Sequence, residues 1–147
     1  MRIESYRDLR VWNRAMDLVV ESYKLTQQLP ITESYGLTRQ IQKAAVSIPA
    51  NIAEGHGREH LGDYLHHLSI ANGSLMELET HLLIANRLSY LETLELETVL
   101  HLAGEVGRML NGLIQKLKVR QVSRTRNERQ VEKSSNPGTR HLTPDTL

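Results

Sequence analysis

An apolar repeat averaging 3.5 residues runs through most of this chain, and it restricts the fold to packed α-helices. Leu9, Trp12, Met16, Val19 and Tyr23 step by 3, 4, 3 and 4 residues. Leu61, Tyr64, Leu68, Ala71, Leu75, Leu78, Leu82 and Ala85 keep that rhythm, and Leu96, Val99, Ala103, Val106, Leu110, Leu113 and Leu117 repeat it. Each set lies on one stripe of a helix. Leu37, Ile41, Ala44, Ile48 and Ile52 continue the pattern across Pro49. A proline inside a helix removes one backbone hydrogen bond and crowds the carbonyl four residues back, so a kinked helix is expected from about 37 to 54, ending near Gly55 and Gly57.

The connections between these segments are short: 29–36, 54–60 and 89–93. Short links make successive helices antiparallel neighbours, so the expected fold is an all-α, up-down four-helix bundle. Residues 1–120 form the bundle. From Gln121 the apolar residues thin to Val122, Val131, Leu142 and Leu147, so 121–147 is expected to be a basic, disordered tail. A chain of 147 residues, 4% aromatic and without cysteine, has neither a disulfide framework nor a thiolate metal site. The opening MRIESYRDLR is charged and has no apolar signal-peptide stretch, and no aliphatic run approaches membrane-spanning length. A soluble, cytoplasmic protein with no membrane partner is expected.

Further apolar residues lie off the main stripes: Leu65, Met76, Leu83, Ile84, Leu100, Met109 and Ile114. One small bundle core does not need them all, which predicts self-association. Gly73, Gly104, Gly107 and Gly112 sit inside helices, each costing about 1 kcal/mol against alanine, and suggest close approach of another backbone.

Catalytic constellations are weak. His56-Gly-Arg-Glu59-His60 has the spacing of one zinc-protease motif but starts in a loop. Asp63 with His66, and Glu77 with His81, share helical faces, and Asn51 and Glu54 lie near enough in the expected bundle to join them. A satisfied polar network explains these as well as a metal does. No glycine-rich phosphate loop, nucleophile motif or cofactor motif is present, so no residue is assigned a catalytic role and no cofactor is expected. Cations are more informative. Residues 1–115 hold 10 Lys and Arg against 14 Asp and Glu, whereas 116–147 hold 8 against 3. Arg10 and Arg14 with Arg7 on the first helix, Arg39 and Lys43 on the second, and Lys116, Lys118, Arg120, Arg124 and Arg126 with Arg129 at the end are candidate phosphate contacts. No aromatic residue is interleaved with the basic tail, which argues against base stacking there.

The strings YGLTRQIQKAAVSIPANIAEGHGR (35–58), YLHHLSIANGSLMELETHLLIANRLSYL (64–91) and DLRVWNRAMDLVVESYKLTQQLP (8–30) resemble the four-helix-bundle proteins encoded in bacterial 23S rRNA intervening sequences. The resemblance covers about residues 5–118. It implies a barrel-shaped homopentamer. A related branch, the accessory variability determinant of diversity-generating retroelements, implies nucleic-acid binding and association with a reverse transcriptase; EVGRMLNGLIQKL (105–117) is similar to its last helix. The resemblance points to binding and scaffolding, not catalysis. Many such relatives are rich in lysine and arginine after the glycines, where this chain reads HGREHLGDYLHH. The basic segment after Lys116 is the expected substitute for that charge.

The leading expectation is a non-enzymatic, homo-oligomeric scaffold that binds RNA or DNA through phosphates, as a chaperone or as an adaptor for a reverse transcriptase. A protein–protein module without nucleic acid, and a metal-dependent enzyme using Glu54, Glu77 and His81, are the alternatives.

Overall fold

The computed structural model describes residues 3–136 and residue 138. Four α-helices, α1 (Arg10–Thr26), α2 (Leu37–His56), α3 (Leu61–Arg87) and α4 (Thr93–Ser135), are joined by short links; one 3₁₀ turn (Tyr6–Asp8) precedes α1 and another (Ile31–Glu33) lies in the link ahead of α2. Among the described residues there is no β-strand. The helices form a closed ring. α1 packs on α2 and α4, α3 packs on α2 and α4, and neither diagonal pair approaches closely. That is the up-down bundle that short connections dictate.

Local chemistry sets the element ends. The Asp8 carboxylate accepts from the backbone N–H groups of Glu4 and Ser5 at 3.1 and 3.0 Å, and the Ser5 hydroxyl accepts from Arg7 N–H at 3.2 Å. Together these close a capping box before α1. Glu33 reaches across the next link to accept from the Leu37 N–H at 2.9 Å, which satisfies one of the orphan donors opening α2. After α3, Ser89 adopts a left-handed φ of 64°, and Tyr90 N–H turns back to the Ala85 carbonyl at 2.9 Å.

The core contains the expected stripes of α2, α3 and α4: Ile41, Ala44, Ile48 and Ile52; Leu68, Ala71, Leu75, Leu78, Leu82 and Ala85; and Leu96, Val99, Ala103, Val106, Leu110 and Leu117. Burying each large aliphatic side chain contributes about 1.5–3 kcal/mol. In α1 the phase differs from the sequence expectation. The buried set is Val11, Ala15, Leu18, Ser22 and Leu25, while Trp12 and Val19 are half-buried and Met16 and Tyr23 are exposed. The helix carries two apolar stripes about 100° apart. The one containing Ala15 and Ser22 faces inward because small side chains let α1 approach its neighbours.

The second difference lies in the tail. Residues 121–135 are not a disordered extension but continue α4 as helix; residue 137 and residues 139–147 of the expected tail lie outside the described residues. Leu117 is the last buried residue, so 118–135 projects about 27 Å beyond the bundle with every side chain exposed. Composition shows only that a segment has no core of its own, and an unpacked helix meets that condition as well as a coil does. Here α4 has already formed the helical nucleus, the following residues are rich in Gln, Arg, Glu and Lys, and no Gly or Pro intervenes before Pro137. Asn136, which precedes that proline, has left the helical region with φ −114° and ψ 78°.

Candidate nucleic-acid interface

The α4 arm is strongly positive, whereas residues 1–115 are net negative. Between residues 116 and 133 it carries Lys116, Lys118, Arg120, Arg124, Arg126, Arg129 and Lys133 against Glu128 and Glu132, all exposed. Helical spacing sorts the cations into two stripes. Lys116, Arg120 and Arg124 follow one another every fourth residue, and Lys118, Arg126, Arg129 and Lys133 occupy a second face. Val119 and Val122 lie exposed among them. Among the described residues none of these seven cations makes an ion pair.

The other candidate cations are dispersed. Arg39 and Lys43 lie one turn apart on the exposed face of α2, and Arg10 is exposed at the start of α1. Arg14 is engaged within the fold. It holds Glu105 of α4 through two hydrogen bonds, Nε to Oε1 at 3.1 Å and Nη2 to Oε2 at 2.8 Å, and Asp17 through Nη1 at 2.7 Å. The fork geometry suits a carboxylate. The Glu105 hydrogen bond, with Asp17 behind it, raises the guanidinium pKa, and the Arg14 hydrogen bond holds the Glu105 carboxyl below its ordinary range against the opposing effect of burial. Arg14 therefore clasps α1 to α4, with both of its charge partners internal.

Residues considered for a metal are arranged differently from that expectation. Asn51 and Glu54 of α2 meet α3 at His67, not at Glu77 and His81, and Ser47 of α2 meets Ser74. Ser47 Oγ and Ser74 Oγ are 2.8 Å apart. Asn51 Nδ2 donates to the Ser47 carbonyl at 2.8 Å and to its Oγ at 3.0 Å. His67 Nδ1 lies 3.2 Å from Asn51 Oδ1 and acts as the donor, since the Asn51 amide nitrogen is directed at Ser47. Glu54 Oε1 accepts from Arg58 Nη2 at 2.8 Å and lies 3.9 Å from His67 Nε2. This polar seam stitches SIPANIAEG to GSLMELET, with His67 joining in from α3. Glu77 is exposed, and among the described residues no group of three or more His, Asp or Glu is placed to hold a metal ion.

Glycine roles also redistribute. Open space surrounds the Cβ positions of Gly73 and Gly112. A Cβ on Gly107 would lie 3.2 Å from Leu75 Cδ2, a tight fit between α4 and α3. The closest approach between two helices is at Gly55, where a Cβ would sit 2.7 Å from His67 Cβ, 2.9 Å from Tyr64 Cδ2 and 3.2 Å from the Tyr64 carbonyl oxygen. This glycine lets the end of α2 lie directly against α3. His56 is thereby set edge-on to Tyr64, with ring centroids 5.8 Å apart and planes at 89°.

That contact forms one wall of a cavity that single-residue patterns did not suggest. A space of about 420 Å³ at the end of the bundle is lined by Ile3, Leu9, His56, Tyr64, Leu113, Lys116, Leu117 and Arg120. Burial pushes the Tyr64 phenol up to about 12, the nearby Arg120 charge acting in the opposite direction. Tyr64 is accordingly a neutral hydroxyl at ordinary pH.

α3 exposes Ile70, Met76, Leu83 and Ile84, each 39–47% accessible, along one outward face that also carries Gly73. Among the described residues no helix is long and apolar enough to cross a membrane.

No curated protein sequence matches the chain. Its fold is similar to the crystal structure of a protein of unknown function from the S23 ribosomal protein family of Bacteroides thetaiotaomicron VPI-5482, with a TM-score of 0.65 and 24% identity over 71% of this chain and 97% of that one. The family model described as 23S rRNA-intervening sequence protein matches residues 7–112, which takes in α1, α2, α3 and the first half of α4 and stops short of the basic arm. From that match over most of its length, the chain belongs to the 23S rRNA-intervening sequence protein family.

Proposed function

We propose that this protein is a non-enzymatic, homo-oligomeric scaffold that binds RNA or DNA through phosphate contacts and serves as a chaperone or adaptor for a larger nucleic-acid enzyme, such as a reverse transcriptase. The observation that carries this reading is the α4 arm, with seven exposed cations against two carboxylates on a helical segment in which no residue after Leu117 is buried. An unpacked, strongly cationic helix has no role in holding the bundle together, and its charge density suits a polyanion. Arg39 and Lys43 add a second patch, while Arg14 contributes through the fold. The exposed apolar face of α3 supports self-association, which would multiply each arm.

The direct test is the salt dependence of RNA binding, followed by fluorescence anisotropy of a labelled oligonucleotide. Each lost contact to a single strand reduces the slope of log K against log salt by about 0.7. The Arg124→Gln, Arg126→Gln, Arg129→Gln variant is expected to lose about two units of slope; an unchanged slope overturns the assignment of the arm. Native mass spectrometry is expected to show a multimer, and a monomer at micromolar concentration overturns the scaffold. A multimer with no affinity for nucleic acid would leave the protein–protein module as the correct reading.

A further inference from the structure

We propose that the cavity at the foot of the α4 arm is a nucleotide pocket that takes one unpaired nucleotide of a nucleic-acid strand, its phosphate on Lys116 and Arg120 and its base against Tyr64 and His56. This rests on the nucleic-acid reading above and goes beyond it. The arm alone offers phosphate contacts, whereas the pocket adds recognition of an unstacked base and therefore of strand ends and gaps.

Four observations converge. The volume, about 420 Å³, is in the range of small-molecule sites and holds far more than a lone phosphate. The lining divides by chemistry: Ile3, Leu9, Leu113 and Leu117 are apolar, His56 and Tyr64 are aromatic, Lys116 and Arg120 are cationic, and no carboxylate lines the space. A ligand matching it has a flat, weakly polar body and an anionic head, as a nucleoside phosphate does. The Tyr64 hydroxyl, among the described residues, makes no hydrogen bond, and as a neutral phenol it can donate to an anion or to a base edge. Finally, the cationic wall is continuous with the arm. Lys116, Arg120 and Arg124 rise at steps of about 6 Å, a separation comparable to that of successive phosphates along one strand. A strand whose terminal base enters the pocket thus meets this stripe.

The aromatic partners that the basic segment lacks in sequence are therefore supplied by α2 and α3. Gly55 brings His56 onto Tyr64, and α4 brings Lys116 and Arg120 to the same cavity. Aromatic faces beside cations are the usual platform for single-stranded bases.

The experiment uses the full-length protein and nuclear magnetic resonance titration with adenosine 5′-monophosphate and uridine 5′-monophosphate. The expected result is saturable shifts at His56, Tyr64, Lys116 and Arg120, with affinity reduced at least about tenfold by Lys116→Gln with Arg120→Gln. Those side chains are exposed, so the fold is not at risk. The Arg126→Gln, Arg129→Gln, Lys133→Gln variant is expected to bind mononucleotide like the parent while losing affinity for long RNA. Tyr64→Phe is expected to weaken mononucleotide binding several-fold without changing the salt slope for long RNA. Shifts absent from these four residues, or inorganic phosphate binding as tightly as the nucleotide, overturn the pocket. A last comparison separates a strand end from a free nucleotide. A single-stranded oligonucleotide with a 5′-phosphate is expected to bind at least tenfold tighter than the mononucleotide, with the same residues shifting; equal affinity overturns the strand-end reading. Loss of the pocket with salt-dependent RNA binding intact leaves the scaffold proposal standing, whereas absence of all nucleic-acid binding removes both.

Discussion

Replacing Gly55 with alanine is expected to destabilise the protein, although the same change stabilises an ordinary helix. At a typical interior helical position, Gly→Ala contributes about 1 kcal/mol. Gly55 lies near the end of α2, and its constraint comes from α3. The new methyl would lie 2.7 Å from His67 Cβ, and ordinary contact begins at 3.4 Å, so the helices must separate by about 0.7 Å there. Neither obstacle can swing aside, because His67 Cβ is fixed by its backbone and the Tyr64 oxygen at 3.2 Å is backbone itself. Overpacking of this kind costs about 1–3 kcal/mol. The displacement also lengthens the 3.2 Å hydrogen bond between His67 and Asn51, whose loss costs about 1 kcal/mol. Set against the propensity gain, the net loss is about 1–3 kcal/mol. Gly112→Ala is the control, since nothing lies within 4 Å of its Cβ position, and it is expected to gain up to about 1 kcal/mol. Urea unfolding of both variants at one protein concentration reads the difference as a shift of the midpoint by roughly 1 M in opposite directions. If Gly55→Ala is as stable as the parent, the close α2–α3 approach is wrong, and with it the His56–Tyr64 wall of the cavity.

Other outcomes follow from the same geometry. Ser22 is fully buried, and its hydroxyl has no hydrogen-bond partner among the described residues, so Ser22→Ala is expected to stabilise the protein by about 1 kcal/mol; a lower thermal midpoint would refute this. The depressed Glu105 carboxyl stabilises the fold above its ordinary pKa, and this contribution is lost as pH falls through the depressed folded value. Glu105→Gln is therefore expected to flatten the fall of stability below about pH 5, checked by unfolding midpoints from neutral to acid pH. The raised Tyr64 phenol acts in the opposite direction: stability is intact below about pH 10 and declines as pH rises toward about 12, and Tyr64→Phe is expected to remove that part of the decline. Truncation after Arg120 removes fifteen helical residues and no buried one, so circular dichroism is expected to lose helix signal while the unfolding midpoint stays put.

The repeat of apolar residues determined the number of helices, their order and, through short links, their antiparallel ring, because a stripe at 3.5-residue spacing has only one economical way to leave water. It determined the buried faces of α2, α3 and α4 as well. It did not determine the face of α1, where Val11, Leu18 and Leu25 compete with Trp12, Met16 and Val19, because two stripes of similar apolarity differ only in how closely the neighbouring helices can approach. The charge asymmetry likewise located the cations, but not that Arg14 is held by Glu105, a residue 91 positions away. Composition could not separate a coil from an unpacked helix after Gln121, since both lack a core. The Ser47–Asn51–His67 seam, the demand for glycine at 55 and the cavity joining His56 and Tyr64 to Lys116 and Arg120 were all decided by tertiary structure. Each depends on side chains from helices distant in sequence meeting at one end or one seam of the bundle, and a pattern read along a single helix carries no information about its neighbours.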